Sequence, residues 1–286
     1  MDDRDWDMLL AIAEERNITS AAERLFITQS ALSYRVKKLE KEFKTTLFIR
    51  SQSGVIPTPQ CEYLLRYSKN MKTQLNNTKQ AIHCMNGTVE GALRIAVTTI
   101  FAYYKLPDIL KGFIDRYPKV EIFLKADRSI CVYEMMQKGE VTLCIIRGDH
   151  PWTEEKILIS EEPVCLVSST PLTLDELPKH PQIVQPNSYV NHIARNWWHQ
   201  HFTVAPYVSM ESNNLAICLQ MIMRDWGWMV TSPLVMKEYP SLCKQDLYWK
   251  DGTPVTRNTW IFCHYSSLEL PVVQAFIEYL NRGNIS

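Results

Sequence analysis

Glycine is scarce in this chain: nine residues in 286, no two closer than four positions apart. That spacing excludes the GxGxxG and GxxxxGK loops that cradle phosphates, and HExxH and GxSxG are absent as well, so no enzyme motif supports a catalytic reading. No apolar run approaches the ~20 residues of a membrane span, and no membrane partner is expected. The N-terminus, MDDRDWDML, is acidic and lacks the basic and apolar regions of a signal peptide. The expectation is a cytoplasmic protein, and a solute-binding protein, which would need export, is disfavoured. Net charge is also missing, with 31 basic and 31 acidic residues. The eight cysteines form no CxxC pair, and several lie in apolar runs such as TLCIIRG, PVCLVSS and WIFCHY. They read as reduced, buried thiols acting as small hydrophobes. No cofactor and no metal site is expected.

Charge is present locally. Residues 16–50 hold eight bases (Arg16, Arg24, Arg35, Lys37, Lys38, Lys41, Lys44, Arg50) against three acids (Glu23, Glu40, Glu42). A surplus of five in a neutral chain is an electrostatic footprint for phosphate. Within it, residues 17–43 read as two short helices joined by a tight turn. Thr19 and Ser20 are candidate caps of the first, Ser20 with Glu23 having the capping-box spacing, and Ala21, Ala22 and Leu25 form its apolar face. Thr28 can cap the second helix, whose Leu32, Val36, Leu39 and Phe43 recur at helical spacing and are expected to be buried. The opposite face carries Gln29, Ser30, Ser33, Tyr34, Lys37 and Lys41. Short donors and acceptors at a first turn reach base edges in the major groove, and lysines further on follow phosphates. An ordinary solvated helix shares this pattern; the charge surplus favours DNA. The expected DNA-facing set is Thr28, Gln29, Ser30, Ser33, Tyr34, Arg35 and Lys37.

The strings AAERL, TQSALSYRVKKLE and LFIR resemble the N-terminal signature of LysR-type transcriptional regulators, almost continuously from Trp6 to Arg50. The resemblance implies a winged helix-turn-helix rich in α-helix, a dimerising linker helix, and a two-lobed α/β effector domain like a periplasmic binding protein. It implies double-stranded promoter DNA and a small-molecule effector as partners, assembly into a homodimer or homotetramer, and a further DNA contact from Arg50. The expected domains are 1–58 for DNA, 59–87 for the linker and 88–286 for the effector, with one lobe from 91–161 and 266–286 and the other from 162–265. The chain departs from the family at Cys61, where glycine is common, and at Pro57, where leucine is. Both bear on the angle between wing and linker.

The remaining segments fit that outline. Residues 1–15 carry Trp6, Met8, Leu9, Leu10 and Ile12, an amphipathic helix whose acids are expected to face solvent. Residues 47–49 and 55–56 read as the strands of a small wing around a turn at 51–54. Thr58-Pro59 opens a helix to about 85, because a threonine cap and proline at the first helical position both suit a helix start. Leu64, Ser68, Met71, Leu75, Thr78, Ile82 and Met85 make a heptad seam, weakened by Ser68 and Thr78. Leu64, Met71, Leu75 and Ile82 are the expected dimer contacts; the alternative is a long helix packed on its own domain. From 91 onward, strand-like runs (ALRIAV, VEIFLKA, TLCIIRG, PVCLVS, QIVQP, PYVSME, WMVTSP, NTWIFCHY) alternate with helical stretches at 101–117, 130–138, 191–202, 213–225 and 270–280. This predicts an α/β fold with a largely parallel sheet.

Ligands of open α/β sheets bind beyond the C-terminal strand ends, near helix N-termini. Thr98 and Thr99 follow the first strand, Arg128 and Ser129 the second, and Arg147 ends the third, while Gln185, Asn187, Ser188 and Tyr189 are offered by the other lobe. Hydroxyls, helix N–H groups and a guanidinium suit a small anionic or polar metabolite. The effector set is Thr98, Thr99, Ser129, Arg147 and Ser188, with plain capping and a surface ion pair as the alternatives. A redox- or metal-responsive regulator of the same fold, using cysteines or histidines, is the competing reading. His192 and His199 would share a helix face, but His201 points away and no carboxylate or thiol lies close in sequence. A packed tryptophan pair, Trp197-Trp198, flanked by solvated histidines is favoured.

Overall fold

The computed structural model describes residues 1–51, 54–83, 89–186 and 188–283, so the expectations placed on Met85 and Asn187 lie outside the described residues. The side chain of Arg50 does so too. Two compact units result, one built on residues 1–88 and one carrying both large sheets. Among the described residues, no helix is long and apolar enough to cross a membrane.

The first unit starts with α1 (Asp3–Glu15), opened by a reciprocal capping box between Asp2 and Asp5 and closed by Arg16 in the left-handed region. Asn17, not Ser20, caps α2 (Ile18–Arg24): its side chain accepts from the backbone N–H groups of Thr19 and Ser20. Thr28 caps α3 (Gln29–Phe43) by accepting from the Ala31 N–H at 3.2 Å. Ala21 and Ala22 are buried, letting α2 approach α3 closely, and Met8, Leu9, Ile12, Leu32, Val36 and Leu39 fill the space between the helices. Each fully buried aliphatic side chain of this kind contributes about 1.5–3 kcal/mol. Phe43, expected in that core, is the last residue of α3 and is instead 40% exposed. The wing is the hairpin of β1 (Phe48–Ser51) and β2 (Gly54–Pro57), with Ile49 opposite Ile56. It is tied to the end of α1 by the Val55 N–H donating to the Arg16 carbonyl at 2.8 Å. Gly54 adopts φ +112°, and a Cβ there would lie 2.4 Å from the same carbonyl. The helix α4 (Pro59–His83) begins at buried Thr58, whose hydroxyl accepts from the Cys61 N–H and donates to the Thr46 and Leu47 carbonyls. Cys61 is fully buried in the core of the first unit.

The second unit has two five-stranded sheets joined by two long strands. The first sheet runs β4 (Val120–Asp127), β3 (Gly91–Thr98), β5 (Leu143–Arg147), β12 (Thr256–Cys263), β6 (Glu155–Pro163). The second runs β11 (Cys243–Asp246), β7 (Cys165–Ser168), β10 (Trp228–Thr231), β8 (Gln182–Val184), β9 (Val208–Glu211). Both are mixed rather than largely parallel. β3 pairs parallel with β4 and β5, but β12 pairs antiparallel with β5 and β6. The expected lobe boundary at 266 therefore falls late, since β12 belongs to the first sheet.

Helices α5 (Thr99–Tyr104), α6 (Leu106–Arg116), α7 (Ser129–Gln137) and α10 (Pro271–Asn281) accompany the first sheet. The stretch expected as one helix over 101–117 is thus two, broken at Lys105 ahead of Pro107. Phe113 meets Phe276 edge-on at 4.9 Å, locking α6 to α10. Helices α8 (Tyr189–His201) and α9 (Leu215–Ile222) belong to the second sheet, where Trp198 stacks on Trp228 at 5.6 Å. The Trp197 and Trp198 ring N–H groups donate to the Tyr248 and Val204 carbonyls, satisfying both indoles in the core.

Candidate nucleic-acid surface and ligand cleft

The outer face of α3 is open. Gln29, Ser30, Tyr34, Lys37 and Lys41 are exposed, Tyr34 to 72%. Lys37, Lys38 and Lys41 form no ion pair among the described residues. Ser30 shares a hydroxyl contact of 3.1 Å with Thr28, so the cap and the first-turn hydroxyl act as one unit. Two members of the expected set are placed differently. The Ser33 hydroxyl is buried and has no partner among the described residues, so it is turned away from the open face. Arg35 is held inside the unit: its Nε lies 2.9 Å from Asp5 and its Nη2 3.0 Å from Asp2. The expectation that the acids of α1 face solvent holds for Asp3, Glu14 and Glu15 but not for Asp5, which is only 7% exposed. Arg24 is likewise drawn off to Glu14 and Glu15. Among the described residues, Arg16 and the lysines are therefore the unclaimed charge of the patch.

The seam of α4 divides. Leu64 is 8% exposed and belongs to the core of the first unit, so it is not a free dimer contact. Ser68 is fully buried and donates to the Leu64 carbonyl at 2.7 Å, which explains a polar residue at a seam position. Further along, Met71 and Leu75 are half-buried and Ile82 is 61% exposed.

In the second unit, three strand ends of the first sheet meet as expected. Thr98 takes the N-cap position of α5 but makes no capping bond, and its buried Oγ1 has no partner among the described residues. Thr99 is exposed beside it. The Ser129 hydroxyl donates to the Arg147 carbonyl at 3.1 Å, tying the start of α7 to the end of β5. Arg147 is 2% exposed: its Nη2 pairs with Glu162 and donates to the Ser232 hydroxyl at 3.0 Å, while Nε and Nη1 have no partner among the described residues. Burial lowers the Arg147 pKa and Glu162 opposes that shift. Ser188 caps α8, accepting from the Asn191 N–H and donating to the Gln185 carbonyl, so its hydroxyl is spent locally. Tyr189 packs its ring over Gly148, where a Cβ would come within 2.5 Å of it. The same surroundings hold a residue that sequence reasoning missed, Arg257, which is 6% exposed with an unpartnered Nε and faces Glu162 across β12 and β6. Burial, then repulsion from Arg147, pushes its pKa well down.

The expectation of buried thiols holds for Cys61, Cys144, Cys165, Cys218 and Cys263, whereas Cys131 and Cys243 are half-buried. Burial pushes Cys61, Cys144, Cys165 and Cys263 up to about 12, which keeps them protonated and unreactive. His192 and His199 are exposed, and His201 rests on Trp197 at 4.7 Å. No cluster of metal-ligating side chains occurs among the described residues.

Comparison with known proteins gives two family matches. Residues 4–62 match the bacterial regulatory helix-turn-helix protein, lysR family, and residues 86–284 match the LysR substrate binding domain. The chain is 32% identical over 281 residues to YraN, an HTH-type transcriptional regulator of Bacillus subtilis, covering 98% of this chain and 97% of that one. Among solved structures, a full-length OxyR variant from Pseudomonas aeruginosa superposes with a TM-score of 0.72 at 17% identity, covering 98% and 95% of the two chains. Full-length CbnR in complex with its target DNA superposes with a TM-score of 0.68 at 17% identity, covering 99% of each.

Proposed function

We propose a mechanism from one premise: the chain belongs to the LysR family of bacterial helix-turn-helix regulators, and regulates transcription by binding promoter DNA. In our reading α3 enters the major groove. Gln29, Ser30 and Tyr34 read base edges, Thr28 fixes the helix start, and Lys37 and Lys41 hold phosphates. CbnR binds its target DNA, and the shared fold supports the same mode here. The exposed length of α4, through Met71, Leu75 and Ile82, joins two copies, and the regulator works in the cytoplasm as a dimer or a tetramer. An effector binds at the strand ends beside Thr98, Thr99, Ser129 and Arg147. The observation that carries this is the buried guanidinium at the end of β5, whose Arg147 Nε and Nη1 have no partner among the described residues; at the neighbouring end of β3, Thr98 Oγ1 is also without one. Leaving such groups unpaired costs about 1–3 kcal/mol each, and a polar or anionic ligand would recover that. Its binding shifts the regulator between forms only as far as its affinities for them differ. The test is operator binding and promoter output for Thr99→Val and Ser129→Ala. The expected result is intact operator binding with the metabolite response lost. Loss of operator binding in both variants, or a full response in both, refutes the assignment.

A further inference from the structure

One face of the first sheet carries a polar cluster of which the strand-end reading uses only Arg147. Thr259 on β12 lies opposite Arg147 on β5 and opposite Ser160 on β6. Two residues away on β12, Arg257 lies opposite Glu162. Side chains alternate along a strand and directly paired residues share a side, so all five project from one face. Arg147, Arg257 and Thr259 are 2%, 6% and 0% exposed. Arg147 Nε and Nη1, Arg257 Nε, Thr259 Oγ1 and Ser160 Oγ have no partner among the described residues. Arg147 is paired with Glu162, whereas Arg257 lies opposite that carboxylate in the ladder and has no ion pair among the described residues, which leaves one buried guanidinium without a counter-charge in contact and several idle donors. Buried charge without a counter-charge is costly, and the idle donors define the missing group.

We propose that Arg147 and Arg257 form a paired-guanidinium seat for one carboxylate of the effector, with Thr259 and Ser160 as neutral donors and Glu162 as an internal competitor for Arg147. The proposal rests on the reading of Arg147 as a ligand of the cleft and narrows it to a monoanionic group. A single negative charge balances the seat; a phosphate dianion leaves it one charge in excess. A planar carboxylate also matches the fork of a guanidinium in two-point contact. Because β6 and β12 are the two strands that join the sheets, the seat lies on the connection between the lobes.

The test uses the full-length protein and thermal unfolding at constant ionic strength, with acetate, its neutral isostere acetamide, and inorganic phosphate. At roughly 100 mM, well above a millimolar dissociation constant, acetate raises the midpoint of the wild type, acetamide does not, and phosphate acts less than acetate. Arg257→Met loses the acetate response. Glu162→Gln, which removes the competitor, reaches half-saturation at about one tenth of the wild-type acetate concentration, a change of one charge-pair order. A purely structural Glu162 gives no such gain, so this variant decides the matter even if Arg257→Met fails to fold. Equal effects of acetate and acetamide, no acetate effect in either wild type or Glu162→Gln, or an unchanged or weaker response in Glu162→Gln overturns the proposal. If Thr99→Val and Ser129→Ala lose the promoter response while Arg257→Met keeps the acetate shift, the cleft stands and the paired seat falls. If those two variants keep the response while the acetate shift depends on Arg257 and Glu162, the seat stands and the strand-end cleft falls.

Discussion

Arg35→Met separates two roles for a base on the recognition helix. The guanidinium leaves α3 and bridges to Asp5 at 2.9 Å and to Asp2 at 3.0 Å, with the Asp5 side chain 10% exposed and that of Arg35 32%. Methionine keeps most of the stem and removes the charge, leaving Asp5 with the backbone N–H of Asp2 at 2.8 Å. A hydrogen bond to a charged, mostly buried partner is worth about 1.5–3 kcal/mol, and the third-exposed guanidinium brings this down to roughly 1–2 kcal/mol. The assay is native-state hydrogen exchange of the α1 and α3 amides in the full-length chain, which reads local opening free energy directly. Both helices should lose protection by that amount. An Asp5→Asn, Arg35→Met double-mutant cycle should return a coupling of about 1 kcal/mol. The salt dependence of operator binding should keep its wild-type slope, because no phosphate contact has gone. Unchanged exchange together with a slope smaller by about one would refute the reasoning and place Arg35 on the DNA.

Gln29→Ala should cost roughly 1–3 kcal/mol on operator and little on random DNA, whereas Lys37→Ala should weaken both alike and lower the salt slope by about one, as read from titrations at several salt concentrations. Gly54→Ala forces a side chain into φ +112° and against the Arg16 carbonyl, so it should destabilise the wing by about 1–3 kcal/mol and weaken operator binding in gel shifts; wild-type affinity would show that the wing does not contribute. Leu75→Asp should dissociate the assembly in sedimentation while the N-terminal unit stays folded, and Leu64→Asp should unfold that unit, because only Leu64 lies in its core. Sedimentation unchanged by Leu75→Asp would move the dimer contact elsewhere.

Local periodicity made α3 legible, since Leu32, Val36 and Leu39 are buried where the spacing puts them. It could not place Phe43, whose burial depends on how far the neighbouring helices extend. Nor could it choose among Asn17, Thr19 and Ser20 as a cap, because all three residue types serve and only backbone geometry selects. Strand β6 was missed because Glu155–Pro163 mixes acids with a short apolar run, and β11 because CKQD has no alternation; both lie at sheet edges, where burial imposes little pattern. Arg257 was invisible for another reason. Nothing beside it in PVTRNTW marks a site, and its meaning comes from Glu162 and Arg147, which are distant in sequence and adjacent only across the ladder. The same holds for Asp5, an acid on a helix start until Arg35 is brought to it.

The place of β12 has a consequence for how the chain is made. It is inserted between β5 and β6, so the ribosome delivers both flanking strands long before the strand that separates them. Roughly 90 residues intervene between the end of β6 and the start of β12, and at about 5–20 residues per second they take roughly 5 to 20 seconds to emerge. During that interval β5 and β6 hold open backbone edges that can mispair with each other or with another nascent chain. The second sheet lies within the intervening segment and can close first. Assembly is therefore nested, inner lobe before outer, and a polypeptide that stops short of Thr256 leaves the outer lobe without its central seam.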